Sequence, residues 1–303
     1  MTSPTVPRFP AWLKVSLRPL LRRLSAIPGF RPSLRAISRR SGGPHWFFRS
    51  FPVEGTIELR APDGTTLKYF STLGDFIGRD LYWFGWDGYE PETTGLFLSL
   101  ARRAGVVVDV GANTGLYSLL AGRANDCCRI MAVEPVARVR ELLERNLELN
   151  GLSQRSVVVP GAASRAHGRQ QLHVPHDAVP TSASLNAEGF RGYKGDLVDV
   201  PVRALDDLCA EYERIDLLKI DVEGFEHHVL EGATNVLERA APTIIVECNP
   251  DGPYLAVEAL LEPRGYRFFR ITSEGPRKME RIEPDPSERF RNVLCLPAKA
   301  ELP

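Results

Sequence analysis

From Gly105 onward, short apolar runs alternate with amphipathic stretches, and that alternation predicts βαβ units around a parallel sheet. Strands are expected at 106–110, 129–133 and 157–159, with helices at 116–123 and 136–150, the second closed by Gly151. Later strands are expected at 215–220, 243–246, 267–271 and 293–296. Ahead of this region, 56–59 and 67–70 alternate about the turn Pro62-Asp63-Gly64, a hairpin signal, and the segment leading to Arg103 reads as helix. Residues 164–200 break the alternation with Gly, Ser, Pro and His and only short strand-like pieces. A connection that long inside an α/β unit usually covers or completes a site.

The fold expected is therefore α/β, a doubly wound, mostly parallel, Rossmann-like sheet with an N-terminal extension. Three parts follow: a basic arm and linker over 1–50, a hairpin with an aromatic and helical lead-in over 51–104, and the main domain over 105–303. Pro28, Pro32 and the run Ser41-Gly42-Gly43-Pro44 read as linker. Trp83, Phe84, Trp86 and Tyr89 fit two roles equally well, one wall of a substrate pocket or the packing that joins the hairpin to the sheet.

Charge changes the picture in one place. The 303 residues carry 38 basic and 38 acidic groups, yet residues 1–50 hold ten Lys or Arg and no acid. Within that arm, Trp12, Leu13, Leu17, Leu20, Leu21 and Leu24 recur among Lys14, Arg18, Arg22 and Arg23 at helical spacing, which suits peripheral contact with an anionic membrane surface or a solvated arm. Zero net charge gives no argument for nucleic acid as a partner. Five cysteines without a CxxC pair fit neither a disulfide framework nor a zinc site. With no apolar run of about 20 residues and no uninterrupted secretory h-region, the expected location is cytoplasmic.

The first strand ends in Asp109-Val110-Gly111-Ala112-Asn113-Thr114-Gly115 and leads into a helix. Its glycines allow a sharp turn and a close ligand, but G-x-G-x-x-G and a P-loop Lys are both missing. A pyrophosphate is thus not the expected guest. An acid at the strand tip, Asp109, suits a cationic sulfonium, and the loop amides of Gly111, Asn113 and Gly115 suit a carboxylate. Glu134, at the end of strand two, is placed to accept from ribose hydroxyls or to cap the helix after Pro135. Ala162, after strand three, leaves room for an adenine ring. Asp216-Leu217-Leu218-Lys219-Ile220-Asp221-Val222-Glu223-Gly224-Phe225-Glu226 brings Asp221 and Glu223 to the tip of strand four beside a strand-borne Lys219, which is costly to bury unless paired.

Taken together, Asp109–Gly115 with Tyr117-Ser118, Glu134-Pro135, Leu205-Asp206-Asp207-Leu208, Lys219 through Glu226, Leu230-Glu231-Gly232-Ala233 and Ile245-Val246-Glu247 resemble the FkbM-type methyltransferases, as does the lead-in Tyr89-Glu90-Pro91-Glu92. The likeness covers about residues 80–250. It implies a class I methyltransferase fold, S-adenosyl-L-methionine as cofactor, and O-methylation of a sugar, glycolipid or polyketide-type acceptor. The chain departs from that pattern with Ala204 ahead of Leu205-Asp206 and with Phe225 where alanine is frequent; neither change removes a charge.

An alcohol keeps its proton at neutral pH, so methyl transfer to oxygen calls for a base or a metal. The candidates are Asp221 or Glu223, assisted by Lys219, directly or through a magnesium ion held by Asp221 and Glu247; His227 is an alternative base, with His228, His173 and His176 behind it. A nicotinamide-dependent oxidoreductase shares the sheet and the ribose acid but lacks the glycine spacing. A noncatalytic, membrane-associated protein on this fold is the third reading, and the retained acids argue against it.

Overall fold

The computed structural model describes residues 30–41, 45–61, 63–185 and 194–302. The amphipathic pattern of the arm over residues 10–27 lies outside the described residues. Where a linker is expected, helices α1 (Phe30–Ser41) and α2 (His45–Phe48) form instead. Pro32 sits in the first turn of α1, where a missing N–H costs nothing. Phe30 and Leu34 pack against the core, and Ser38 Oγ donates to Trp83 O at 2.6 Å, so tertiary contacts hold this stretch helical.

Strands β1 (Gly55–Arg60) and β2 (Thr66–Ser71) make the expected antiparallel hairpin. Helix α3 (Phe76–Phe84) is capped by Asp75, whose side chain accepts from Gly78 N, and α4 (Pro91–Ala101) begins with proline at its first position. Between them the aromatic cluster resolves mostly as packing. Trp83 is fully buried, its ring centroid lies 5.6 Å from that of Phe48 and 5.8 Å from that of Phe51, and its indole N–H donates to Phe51 O. Tyr89 is the member of that group that reaches the main cleft described below.

The domain proper runs β3 (Val106–Val110), α5 (Leu116–Ala124), β4 (Arg129–Glu134), α6 (Ala137–Leu149), β5 (Ser156–Pro160), β6 (Ala162–Ser164), β7 (Gly168–Pro175), β8 (Gly195–Ala204), α7 (Leu205–Leu208), β9 (Leu217–Ile220), α8 (Glu226–Glu231), α9 (Thr234–Arg239), β10 (Thr243–Glu247), α10 (Tyr254–Leu261), β11 (Arg267–Thr272), β12 (Gly275–Met279) and β13 (Asn292–Leu296). The eight-stranded sheet has the order β12-β11-β13-β10-β9-β3-β4-β5. The five strands from β10 to β5 are parallel, and β13 inserts antiparallel between β10 and β11. This is the doubly wound, mostly parallel sheet that the alternation predicts. Residues 164–200 differ from expectation: β7 and β8 pair over eight residues each and join β6 in a separate three-stranded sheet. The polar faces of that ribbon disguise it as loop in the sequence.

Each central strand is buried on both sides, so alternate residues enter different layers. Val107, Leu217 and Ile245 pack with α4 and α5, whereas Val106, Val108, Leu218, Ile220, Ile244 and Val246 pack with α8, α9 and α10. Register places Asp109 beside Lys219 and Lys219 beside Ile245, so Asp109, Lys219 and Glu247 all belong to the first face. That face is apolar except at its carboxyl end.

The aromatic packing gives a test of the N-terminal extension as part of the fold. Trp83→Ala should cost about 3–5 kcal/mol, the usual range for emptying a large aromatic site. Denaturant unfolding would show this as a fall in midpoint at unchanged slope; a loss under 1 kcal/mol would mean that α1 to α3 pack loosely on the domain.

Candidate functional site

At the carboxyl end of the sheet, one fully buried lysine organises the polar groups. Lys219 Nζ lies 3.0 Å from Asp221 Oδ2 and 5.1 Å from the centroid of the Tyr117 ring. Burial by itself would strip its proton, but Asp221, Glu90 and Glu247 outweigh that and hold the ammonium charged above its ordinary pKa. Glu90 comes from the lead-in with a left-handed backbone, φ 41°, and accepts from Tyr117 OH at 2.6 Å and Asn292 Nδ2 at 3.2 Å. Burial raises the Glu90 pKa against the pull of Lys219. Burial and the neighbouring Asp221 and Glu223 push Glu247 well above the carboxylate range.

The turns beyond the strands are drawn together. Gly111 has φ 78°, and a Cβ there would sit 1.8 Å from Asp221 O, so the loops after β3 and β9 meet backbone to backbone. Glu134 Oε2 accepts from Asn113 N at 3.0 Å and its Oε1 from Val136 N at 2.8 Å, while Asn113 Nδ2 donates to Pro180 O at 2.9 Å. Glu134 thus does tie down the helix after Pro135, and its carboxylate keeps further lone pairs toward the cleft it lines. Glu223 and Gly224 are both left-handed, φ 54° and 94°. Glu226 Oε1 stabilises that turn by accepting from Gly224 N at 3.0 Å and Val222 N at 3.3 Å, and Ser184 Oγ donates to Glu223 O at 2.7 Å.

The cleft over these turns measures about 400 Å³, within the range of sites for small molecules. Gly111, Asn113, Glu134 and Ala162 line it, as do Glu90, Asp221, Glu223 and Glu247. The 164–200 excursion adds Leu172, Pro180 and Ala183, so it does help complete the cleft, and Phe76, Phe225 and Phe290 give it an apolar wall. Oxygens of Asp221, Glu223 and Glu247 all lie within 4.8 Å of one another.

Four of the residues singled out from the sequence sit elsewhere than on the cleft wall. Asp109 is only 1% exposed and accepts from Ser118 Oγ at 2.7 Å, which places it beneath the floor rather than facing a guest; burial raises it to about 6. Gly115 is needed for φ 92° and for the close approach of Leu143 Cδ1, which lies 2.4 Å from where its Cβ would be. Lys219 is fully buried and paired with Asp221. His227 is half-buried beside His228 and Phe225, and burial together with His228 lowers its affinity for a proton. Of the remaining histidines, His173 is buried on β7 and His176 pairs with Asp196 at 3.1 Å. Glu90 and Asn292 also line the cleft, and local sequence reading does not single them out as site residues. Glu90 is visible only as part of a lead-in motif, and Asn292 is visible only through its register opposite Glu247.

A parallel sheet with an inserted antiparallel strand, carrying an acidic cleft on its carboxyl edge, is the class I methyltransferase arrangement. Residues 109–268 match the methyltransferase FkbM domain, and the chain belongs to that family of methyltransferases. It is 33% identical over 198 residues to methyltransferase sdnD of Sordaria araneosa, a match covering 55% of this chain and 76% of that one. With 31-O-demethyl-FK506 methyltransferase FkbM of Streptomyces tacrolimicus it shares 26% identity over 247 residues, covering 72% and 91%. Among solved structures, methyltransferase FkbM from Methylobacillus flagellatus KT superposes with a TM-score of 0.42 at 17% identity, over 72% of this chain and 52% of that one.

The buried acids make a pH prediction. Unfolded, each carboxyl releases its proton near about 4; folded, burial holds the proton on Asp109 to about 6 and on Glu134 and Glu226 to about 7. Folding therefore takes up protons between those limits, so stability is fullest at the acid end of the window and falls as pH rises toward 7. Thermal melts of the ligand-free protein should show a lower Tm at pH 8 than at pH 5, with a shallower fall in Glu134→Gln; equal slopes would remove Glu134 from this balance.

Proposed function

We propose that this methyltransferase uses S-adenosyl-L-methionine to O-methylate a hydroxyl of a sugar, glycolipid or polyketide-type molecule. The observation that carries the reading is that one cleft is lined both by a glycine-turned loop with Glu134 and Ala162 and by the carboxylates of Asp221, Glu223 and Glu247. The donor, when bound, supplies a methyl group on a sulfonium that leaves as a neutral thioether.

The chain's part is binding, positioning and proton removal. Glu134 accepts from ribose hydroxyls, and the turn at Gly111 lets the main chain approach the donor without a Cβ in between. Asp109, below the floor, fixes the start of α5 through Ser118 and adds negative potential under a cationic guest. Phe76, Phe225 and Phe290 exclude water from the acceptor and hold its flat or apolar parts, which carries much of the rate of an in-line transfer. Asp221 or Glu223 takes the proton that the acceptor oxygen gives up as it bonds to carbon. Lys219 orients Asp221 through their ion pair, a positioning role. His227, off the cleft wall, has no place in this scheme.

No helix among the described residues is long and apolar enough to cross a membrane. A cytoplasmic protein with peripheral contact through its basic arm is the localisation this reading carries; liposome flotation with and without residues 1–44 tests the contact, and equal flotation would exclude the arm.

Calorimetric titration should show S-adenosylhomocysteine binding and NAD failing to bind; the opposite result would favour the oxidoreductase. Asp221→Asn should lower turnover by about 10²–10⁴ while S-adenosylhomocysteine still binds. Unchanged turnover would take Asp221 out of the chemistry. The acceptor is best found by mass spectrometry of extracts with and without the enzyme, searching for pairs that differ by one methylene.

A further inference from the structure

We propose that Tyr69, on strand β2 of the N-terminal hairpin, is a positioning residue for the methyl donor: through Thr114 and Asn113 it holds the loop after β3 in the shape that meets the donor. The role rests on the donor reading given above, and it adds to that reading a residue outside the segment matched to the family.

The loop needs holding. Gly111, Asn113 and Gly115 all have left-handed backbones, with φ 78°, 48° and 92°. Glycine takes that conformation freely, whereas a residue with a Cβ takes it at a cost and keeps it only where its surroundings enforce it. Thr114 lies between Asn113 and Gly115, is fully buried, and is not among the residues that line the cleft. All its polar atoms are engaged within the protein. Its N–H donates to Asn113 Oδ1 at 2.8 Å, its carbonyl accepts from Asn146 Nδ2 at 2.9 Å, and its hydroxyl lies 2.5 Å from Tyr69 OH. Thr114 therefore anchors the loop and leaves its neighbours to face a guest.

Two of these three ties lead back to β2. Asn146 Oδ1 accepts from Phe70 N at 2.6 Å, and Asn150, one turn further along α6, accepts from Lys68 N at 2.9 Å and donates to Lys68 O at 2.6 Å. Tyr69 sits between those contacts, wholly buried, with its hydroxyl donating to Asp75 Oδ2 at 3.1 Å. Burial raises Asp75 to about 6, so at pH 7.5 it is ionised and can only accept. The Tyr69 proton thus goes to Asp75, and the Thr114 hydroxyl gives its own to Tyr69. From Thr114 the bonds continue to Asn113 Oδ1, and Asn113 N donates to Glu134 Oε2 at 3.0 Å. An unbroken path joins a strand that does not touch the cleft to the acid that receives the ribose. Removing the Tyr69 hydroxyl leaves the Thr114 hydroxyl buried without its acceptor and frees the residue next to Asn113. Donor binding must then order what the relay had already ordered, and affinity falls by that cost.

The test is calorimetric titration of the full chain with S-adenosylhomocysteine at pH 7.5, well below the Tm of each variant. Tyr69→Phe should raise Kd by about tenfold, within the range for residues that modulate a site without touching its ligand. Thr114→Val should act in the same direction, and serves if Tyr69→Phe does not fold; in the double variant the two effects should not add. Ile57→Ala removes packing from the same hairpin at a buried position without touching the relay, and should lower Tm while leaving Kd unchanged. Unchanged Kd in the folded Tyr69→Phe and Thr114→Val proteins overturns the proposal and leaves both as packing residues. An equal rise in Ile57→Ala also overturns it, since loosening of the hairpin would then account for the whole effect. Failure of the wild type to bind S-adenosylhomocysteine is a separate result, which sinks the donor reading and the role of Tyr69 with it.

Discussion

The ammonium of Lys219 is the group on which the carboxyl edge of this sheet depends. It is wholly buried on a central strand, where an unpaired charge costs several kcal/mol, and it is kept charged only because acids from four separate elements converge on it. Asp221 follows it on the same segment, Glu247 ends the next strand, Glu90 arrives from the lead-in, and Asp109 lies beside it on β3. Asp109 and Glu247 are themselves buried, and Asp221 pairs with the lysine directly. Replacing any one of them leaves the rest imbalanced, so a cluster of this kind specifies how four chain segments must meet as well as what they hold.

That mutual dependence explains what was legible in the sequence. Strands 106–110, 129–134 and 243–247 announce themselves as apolar runs, because burial on both faces leaves no other composition available. Asp109, Glu134, Asp221 and Glu223 are legible as acids at strand ends. Their orientations are not, since a strand tip fixes position but the side-chain direction follows from two-residue alternation and from the turn beyond. Alternation sends Asp109 into the layer under α5, where Ser118 meets it. The left-handed turn at Glu223 and Gly224 depends on Glu226, three residues past Glu223, accepting from the backbone; nothing in a local pattern signals this.

The helix Phe30–Ser41 and the strands Gly168–Pro175 and Gly195–Ala204 differ from the sequence expectation for a common reason. Both stretches carry glycine, proline and polar residues in proportions that suggest loops, and these elements are held in regular structure by partners distant in sequence. α1 depends on Trp83 O through Ser38, and the β7–β8 ribbon is tied to the domain where Arg138 donates to Pro175 O, Asp177 O and Ala178 O. Local propensity has no access to such contacts.

Pieces outside the common domain also complete the cleft. The segment matched to the family, 109–268, contains the glycine turn, Glu134 and the Asp221–Glu226 turn. Much of the remaining cleft comes from outside it: Phe76 and Ile77 on α3, Tyr89 and Glu90 in the lead-in, and residues 288–292 before β13. Tyr69 links the two sets, its hydroxyl 2.5 Å from Thr114 Oγ1 in the glycine-rich loop and 3.1 Å from Asp75 Oδ2, which caps the helix that brings Phe76 and Ile77 to the cleft. The cleft is therefore built jointly from the common domain and its flanks, joined by one buried tyrosine, so a change at Phe76 or Ile77 reshapes the cleft without entering the charged centre beneath.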